Sequence, residues 1–369
     1  MSLRSVRLIL LATAALLVTP SAASAAWTVT PTPSIGGPRA FLSGVDCSSA
    51  NSCIAVGVAE SFANFQPVVE RWDGTSWQVT FLSSQRALLD GISCPQPSVC
   101  FAVGSTDSQP LIELWDGSSW STQASAPGVN GALADVSCSG LLACTAVGNA
   151  RPDPNTIATL AERWDGSGWH LQSTPNPTGS DQSSLHGVSC PLRRTCMAVG
   201  QSTTPPRFVT SPLVERWFGR VNAWGMQAAP QPEGAASVGL GDVSCPHGSR
   251  VCVVVGSSTP SQGQSSVLAA RRVGLGSWSI FPLIALPGSS LSTVDCPGVR
   301  FCQATGNWGS GLIAERFDGT SWQVEGIPTN GLPNPSLADV SCPSRFFCMA
   351  VGNTFNGAIS QTLAAKWTP

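Results

Sequence analysis

The residues best equipped for chemistry are fourteen cysteines, a few acids at fixed distances before them, and one tryptophan out of step with the rest. The cysteines form seven short pairs: Cys47/Cys53, Cys94/Cys100, Cys138/Cys144, Cys190/Cys196, Cys245/Cys252, Cys296/Cys302 and Cys342/Cys348. Six pairs enclose five residues and the Cys245 pair encloses six. Zinc sites use tighter spacing and would need two pairs to converge, so the pattern predicts seven local disulfides and no metal centre. Each bridge closes a small loop worth about 2 kcal/mol in chain-entropy terms. That makes them staples rather than redox groups.

Three residues before a first cysteine stand Asp135, Asp242 and Asp339, and Asp90 and His186 lie one residue earlier. Brought together by the fold, such groups can ring an opening and bind a cation or a polar ligand. Each aspartate can equally cap its own loop by accepting hydrogen bonds from backbone amides. A second set of acids recurs as Glu-Arg: Glu70/Arg71, Glu162/Arg163, Glu215/Arg216 and Glu315/Arg316. Glu113 precedes Leu114, and Ala270 and Ala365 replace the glutamate. Acid-base catalysis needs one such group in one place, so repetition points instead to ion pairing at blade interfaces. No catalytic residue is assigned. There is no Gly-x-Ser-x-Gly, and His170, His186 and His247 occupy non-equivalent positions.

The elements that position these residues follow from the repeat. First cysteines lie 47, 44, 52, 55, 51 and 46 residues apart, the period of a four-stranded propeller blade. Each unit reads as a strand carrying Val-Ser-Cys, a tight loop, and a strand Cys-x-Ala-Val-Gly whose glycine lets the chain turn. A variable loop, a strand Leu-x-Glu-Arg-Trp, an Asp-Gly turn and a fourth strand opening at Trp complete it. The last unit stops at Trp367-Thr368-Pro369 without a fourth strand. Ala26 to Pro33 parallels Trp169 to Pro177 and supplies it. The reading is all-β: a seven-bladed propeller of four-stranded blades, one local disulfide per blade, closed by the N-terminal strand. Closure removes the open sheet edges.

The Val-Gly ending of strand two, with Glu-Arg-Trp and a second Trp, resembles kelch repeats. Asp165-Gly166-Ser167-Gly168-Trp169 resembles the Asp-box hairpin of sialidase-like propellers. A single glycine stands for the kelch diglycine, and the Asp-box spacing is one residue short. The resemblance implies architecture over residues 26–369. It carries no sialidase activity, because that chemistry needs a tyrosine nucleophile and the chain has none.

Residues 1–25 read as a secretory signal peptide: Arg4 and Arg7, an apolar run from Leu8 to Val18, and Ala23-Ser24-Ala25 as cleavage site. That leaves 26–369 as one exported domain with no membrane span after cleavage, a location that suits disulfides. Net charge is -2 with 11% charged residues, which excludes a basic nucleic-acid surface. No cofactor is expected, and the chain is expected to be a monomer. Loops two-three and four-one share one face and vary in length, so binding is placed there. Trp308 lies in such a loop, Asn307 to Gly311, away from the repeat's two aromatic positions. The site residues expected to bind ligand are Trp308, Asp90, Asp135, His186, Asp242 and Asp339. The function expected is a binding module for an extracellular glycan, peptide or protein. The alternative is a propeller-type polysaccharide hydrolase or lyase with acids at the channel mouth, and a passive envelope component is a third class.

Overall fold

The computed structural model describes residues 26–369 apart from 62–63, 83–85, 206–208, 284–285 and 330. The signal-peptide reading of residues 1–25 lies outside the described residues. Among the described residues there are twenty-eight strands and no helix. They make seven four-stranded antiparallel units over residues 39–81, 87–123, 131–172, 182–226, 235–280, 289–325 and 336–368 together with 26–30, named blades one to seven here. Blades three and four touch through a single parallel bridge, Ile157 to Gln182.

Ala26–Thr30 is the outer strand of blade seven, paired with Ser360–Thr368 so that Trp27 faces Trp367. On the other side of that blade, the Cys47 N–H donates to Ser341 Oγ (3.0 Å) and the Val45 N–H to Asp339 Oδ2 (2.8 Å). The ring therefore closes as the complementary termini imply.

Burial peaks at the middle strands of each blade and falls toward the channel and toward the rim. Strand two of each blade is buried on both faces, as in Val99–Thr106, because it packs on two neighbouring blades. Fourth strands such as Trp120–Gln123 are mostly open. The apolar residues separate into seven clusters, each joining two adjacent blades, such as Val56 and Val69 with Leu89 and Ala102. The core thus lies between blades rather than at the centre.

All seven predicted disulfides form, each within its own blade. In chain order they are Cys47–Cys53, Cys94–Cys100, Cys138–Cys144, Cys190–Cys196, Cys245–Cys252, Cys296–Cys302 and Cys342–Cys348. Each joins the inner strand to strand two across their hairpin, as where Cys138 faces Cys144.

The recurring glycine read as a turn residue has another role. Gly57, Gly104, Gly148, Gly200, Gly256, Gly306 and Gly352 lie inside strand two and do not end it. A Cβ at Gly148 would strike the carbonyl of Ala132 on the inner strand, and the other six meet the same obstruction. The close approach accompanies a bulge: opposite each glycine the inner strand carries one extra residue, as between Leu133 and Asp135. That bulge sets what faces the channel.

Candidate functional site

The inner strands run from the variable-loop face to the disulfide face, and their bulges aim two consecutive residues at the central channel. The bulged residue is Ser43, Asp90, Ala134, His186, Gly241, Ser292 or Ala338, and the next is Gly44, Gly91, Asp135, Gly187, Asp242, Thr293 or Asp339. The second row needs small residues beside its aspartates. A Cβ at Gly187 would meet Asp242 Oδ1, and one at Gly91 would sit 2.8 Å from the Asp135 Cα. Asp90, Asp135, His186, Asp242 and Asp339 all border one cavity of about 160 Å³ at the variable-loop end. The structure brings together five of the six ligand residues expected from sequence. Trp308 does not border this cavity.

Apart from Asp90, the aspartates neither stand free nor merely cap their own loops. Each of the three next to a first cysteine's strand accepts from its own next amide and from the amide of the following blade. Asp135 takes Val136 N–H (2.7 Å) and Val188 N–H (2.7 Å). Asp242 takes Val243 N–H (2.6 Å) and Val294 N–H (2.9 Å). Asp339 takes Val340 N–H (2.7 Å) and Val45 N–H (2.8 Å). The Thr293 hydroxyl lies between Asp242 Oδ2 (3.1 Å) and Asp339 Oδ1 (2.9 Å). They are ties between blades.

One level nearer the disulfide face, a second girdle runs unbroken round the ring. The residue before each first cysteine accepts from the cysteine amide of the next blade. In chain order the acceptors are Asp46, Ser93, Ser137, Ser189, Ser244, Asp295 and Ser341, at 2.6 to 3.1 Å. Asp46 and Asp295 were missed by sequence reading. The signal was their place in a column otherwise filled by serine, a residue that accepts the same hydrogen bond. They border a second channel cavity of about 170 Å³ together with Asp135, Asp242 and Asp339.

The two cysteines of a bridge therefore differ in what they contribute. First cysteines lend their amides to the girdle. The second cysteines Cys53, Cys100, Cys144, Cys196, Cys302 and Cys348 are at most 1% exposed and border neither channel cavity. They sit on strand two, behind the inner strand, where they staple the hairpin. Cys252 differs in lying at the edge of a pocket between blades four and five.

Six carboxylates thus line a channel whose cavities contain no Lys or Arg. Burial raises all of them from the ordinary 3.8: Asp46 and Asp90 to about 7, Asp295 and Asp339 to about 6, and Asp135 and Asp242 upward as a mutually repelling pair. Amide donors oppose the rise everywhere except at Asp90, which has no hydrogen-bond partner among the described residues. His186 is held by both nitrogens: Nδ1–H donates to the Leu240 carbonyl (3.1 Å), and Nε2 accepts from Ser184 Oγ (2.9 Å). Burial pushes its pKa down, so the neutral ring bridges blades four and five. Among the described residues no group of three His, Cys, Asp or Glu is arranged to hold a metal ion.

The Glu-Arg expectation is overturned. Adjacent residues on a strand point to opposite faces, so each pair is split between two blade interfaces. Arg71 stacks on Trp115 of the next blade (4.7 Å), Arg163 on Trp217 (3.7 Å), and Lys366 on Trp72 (5.9 Å). The glutamates turn the other way. Glu162 accepts from Ser125 Oγ (2.6 Å) and Ala126 N–H (3.0 Å), while Glu70 and Glu215 bury both oxygens with the Thr362 and Thr159 hydroxyls close by. Burial raises Glu70 to about 7 and Glu215 to about 8. The ion pair formed by Arg316 is with Glu325 (2.6 Å), not with Glu315.

Trp308 ends strand two of blade six at a tight hairpin, paired with Gly311 and 48% exposed. Phe355 and Ile359 are each 41% exposed on the corresponding hairpin of blade seven. Asp73, Asp116, Asp165 and Asp318 sit at the disulfide face, where each carboxylate gathers amide and hydroxyl donors of its own turn. Those bonds hold their pKa well below the usual range.

No protein-family model matches the chain, and no curated protein sequence does. Solved structures of the same fold do. YCF48 bound to D1 peptide is 13% identical, with a TM-score of 0.59 over 93% of this chain and 95% of that one. YCF48 from Cyanidioschyzon merolae is 15% identical, with a TM-score of 0.59 over 93% and 99%. A protein of unknown function from Dyadobacter fermentans is 12% identical, with a TM-score of 0.50 over 88% and 97%. At these identities the likeness is one of fold. The chain is a β-propeller.

Proposed function

We infer that this protein is an exported binding module that holds an extracellular peptide or protein segment on its variable-loop face. The observation that carries the reading is the exposed Trp308, with Phe355 and Ile359 on the neighbouring hairpin. Large apolar residues on short hairpins of a rigid ring can anchor a partner without an ordering cost. Seven disulfides support an oxidising location. A propeller of the same fold, YCF48, is described bound to a peptide, which supports a peptide over a glycan as ligand. The hydrolase or lyase alternative is weaker. Glycoside hydrolysis ordinarily needs two available carboxyl groups, and five of the six channel aspartates are taken up by backbone amides.

The test is to probe a peptide array and a glycan array with the purified mature chain and its variants. A peptide class should be captured, and Trp308→Ala should weaken that capture several-fold while the melting temperature holds. Asp73→Ala, on the opposite face, should leave capture unchanged. Normal capture by Trp308→Ala, or capture of glycans alone, would overturn the reading.

A further inference from the structure

The repeat rule that fills each blade interface fails at one place. Opposite the second cysteine, strand three carries Trp72, Trp115, Trp164, Trp217, Phe317 and Trp367 in six blades, and Arg272 in blade five. In three interfaces the preceding blade's Arg or Lys stacks on that aromatic ring. Arg216 of blade four therefore points to where Arg272 stands instead of a ring. A cation faces a cation.

On the disulfide face between blades four and five lies a pocket of about 580 Å³, bordered by Arg216, Arg220 and Arg250. Arg272 lies behind it, only 6% exposed, with Nε and Nη1 unpartnered, and Arg216 Nε is also buried and unpartnered. Among the described residues no carboxylate forms an ion pair with any of the four. The Asp-Gly turn that brings a carboxylate to this face elsewhere is lost in both blades. Phe218-Gly219 replaces it in blade four, and Val273-Gly274 in blade five. The rest of the pocket is largely apolar, with Leu192, Met197 and Leu275, and Leu275 is 70% exposed.

We propose that this pocket binds an organic phosphate, a phosphoryl group carried on an apolar body. Arginine matches phosphate oxygens by paired N–H donors, and buried guanidinium nitrogens without partners are costly until an anion supplies acceptors. Four clustered cations favour a dianionic phosphomonoester over a single carboxylate. The apolar wall excludes a bare inorganic ion as the best fit. Burial and the like charges of Arg272 and Arg250 lower the Arg216 pKa, the direction a missing counter-anion produces. The site lies on the face opposite Trp308 and does not depend on what binds there.

Calorimetric titration with octyl phosphate, inorganic phosphate and octyl glucoside tests it on the whole mature chain. Octyl phosphate should bind more tightly than inorganic phosphate, and octyl glucoside should not compete. Arg220→Ala and Arg250→Ala, at exposed positions, should each weaken octyl phosphate about tenfold, the loss of one charge-assisted contact. Arg272→Trp restores the repeat's ring opposite Arg216, satisfies that guanidinium within the fold, and should weaken octyl phosphate about tenfold. Cosedimentation with phosphatidic acid vesicles, against phosphatidylcholine vesicles, assigns the source as a lipid headgroup, and its failure assigns a free organic phosphate. Unchanged affinity in both surface variants, or competition by octyl glucoside, would overturn the proposal.

Discussion

The channel and the pocket between blades four and five are both clusters of like charge, and they differ in what neutralises them. Six aspartates crowd the channel, yet five accept backbone N–H groups from the following blade. The propeller brings an amide to each of them because every inner strand lies beside the next. A guanidinium needs the opposite partner, an acceptor. Arg163 finds one in the Arg193 carbonyl (2.7 Å) and a neighbour's ring in Trp217. Arg216 meets only Phe218 of its own blade (5.3 Å), and its buried Nε has no acceptor. Arg272 has the Trp278 ring of its own blade (5.8 Å) and one hydrogen bond of 3.3 Å to Gln227, and two of its nitrogens stay without an acceptor among the described residues. One region is satisfied by the fold, and the other waits for something outside it.

That contrast is breakable. The largest effect should come from Asp339→Ala, which strips the acceptor from the Val45 N–H where blade seven meets blade one. Leaving that amide and the Thr293 hydroxyl less satisfied should cost about 3 kcal/mol, read by urea denaturation. A silent substitution would mean the girdle is ornamental and the comparison false.

The next effect is on pH. Asp46, Asp90, Asp295 and Asp339 hold protons in the folded chain up to about 6 to 7, whereas an unfolded aspartate releases its proton near 3.8. The buried Glu70, Glu215 and Glu315 act in the same direction. The native state therefore binds more protons than the unfolded one between about pH 4 and pH 8, and stability falls as pH rises through that window. His186, with its lowered pKa, opposes this below its ordinary value of 6.5, but it is one group against many. Calorimetry should give a higher melting temperature near pH 5 than near pH 8. The reverse order would show that the channel carboxylates remain ionised.

Asp295→Ser sharpens the point with a smaller change. Serine performs the same task in five blades, so the Cys342 amide keeps an acceptor while the charge is gone. The melting temperature should rise near pH 8 and stay level near pH 5. Smallest of all is Arg250→Ala, which breaks no hydrogen bond of its side chain within the described residues and should move stability by no more than about 0.5 kcal/mol. A large loss there would make the pocket a structural feature rather than a ligand site.

Much of this was readable from the chain. Pairing of cysteines, strand order and closure by Ala26–Thr30 depend on spacing, turn chemistry and complementary termini, all legible in one repeat or its end. The meeting of Asp90, Asp135, His186, Asp242 and Asp339 was expected from their similar places, three or four residues before a first cysteine. What the spacing did not show is that the Cys138 amide would be tied to Ser93 of the neighbouring blade, a contact that lies 45 residues away in the chain. The reading of Gly148 as a turn residue failed because the obstruction it avoids, the Ala132 carbonyl, belongs to a neighbouring strand. Glu162 and Arg163 were joined by adjacency in sequence, although strand alternation sends them to different blades.

Sequence by itself determined the repeat, its strands and its staples, because those interactions close within about fifty residues of chain. Only the tertiary structure decided what each blade meets on its neighbour. It gave Asp135 the Val188 amide, 53 residues away, and gave Arg163 its Trp217. It also set Arg216 against Arg272. The reason is that partners across an interface are chosen by how two sheets pack, and no single repeat contains that geometry.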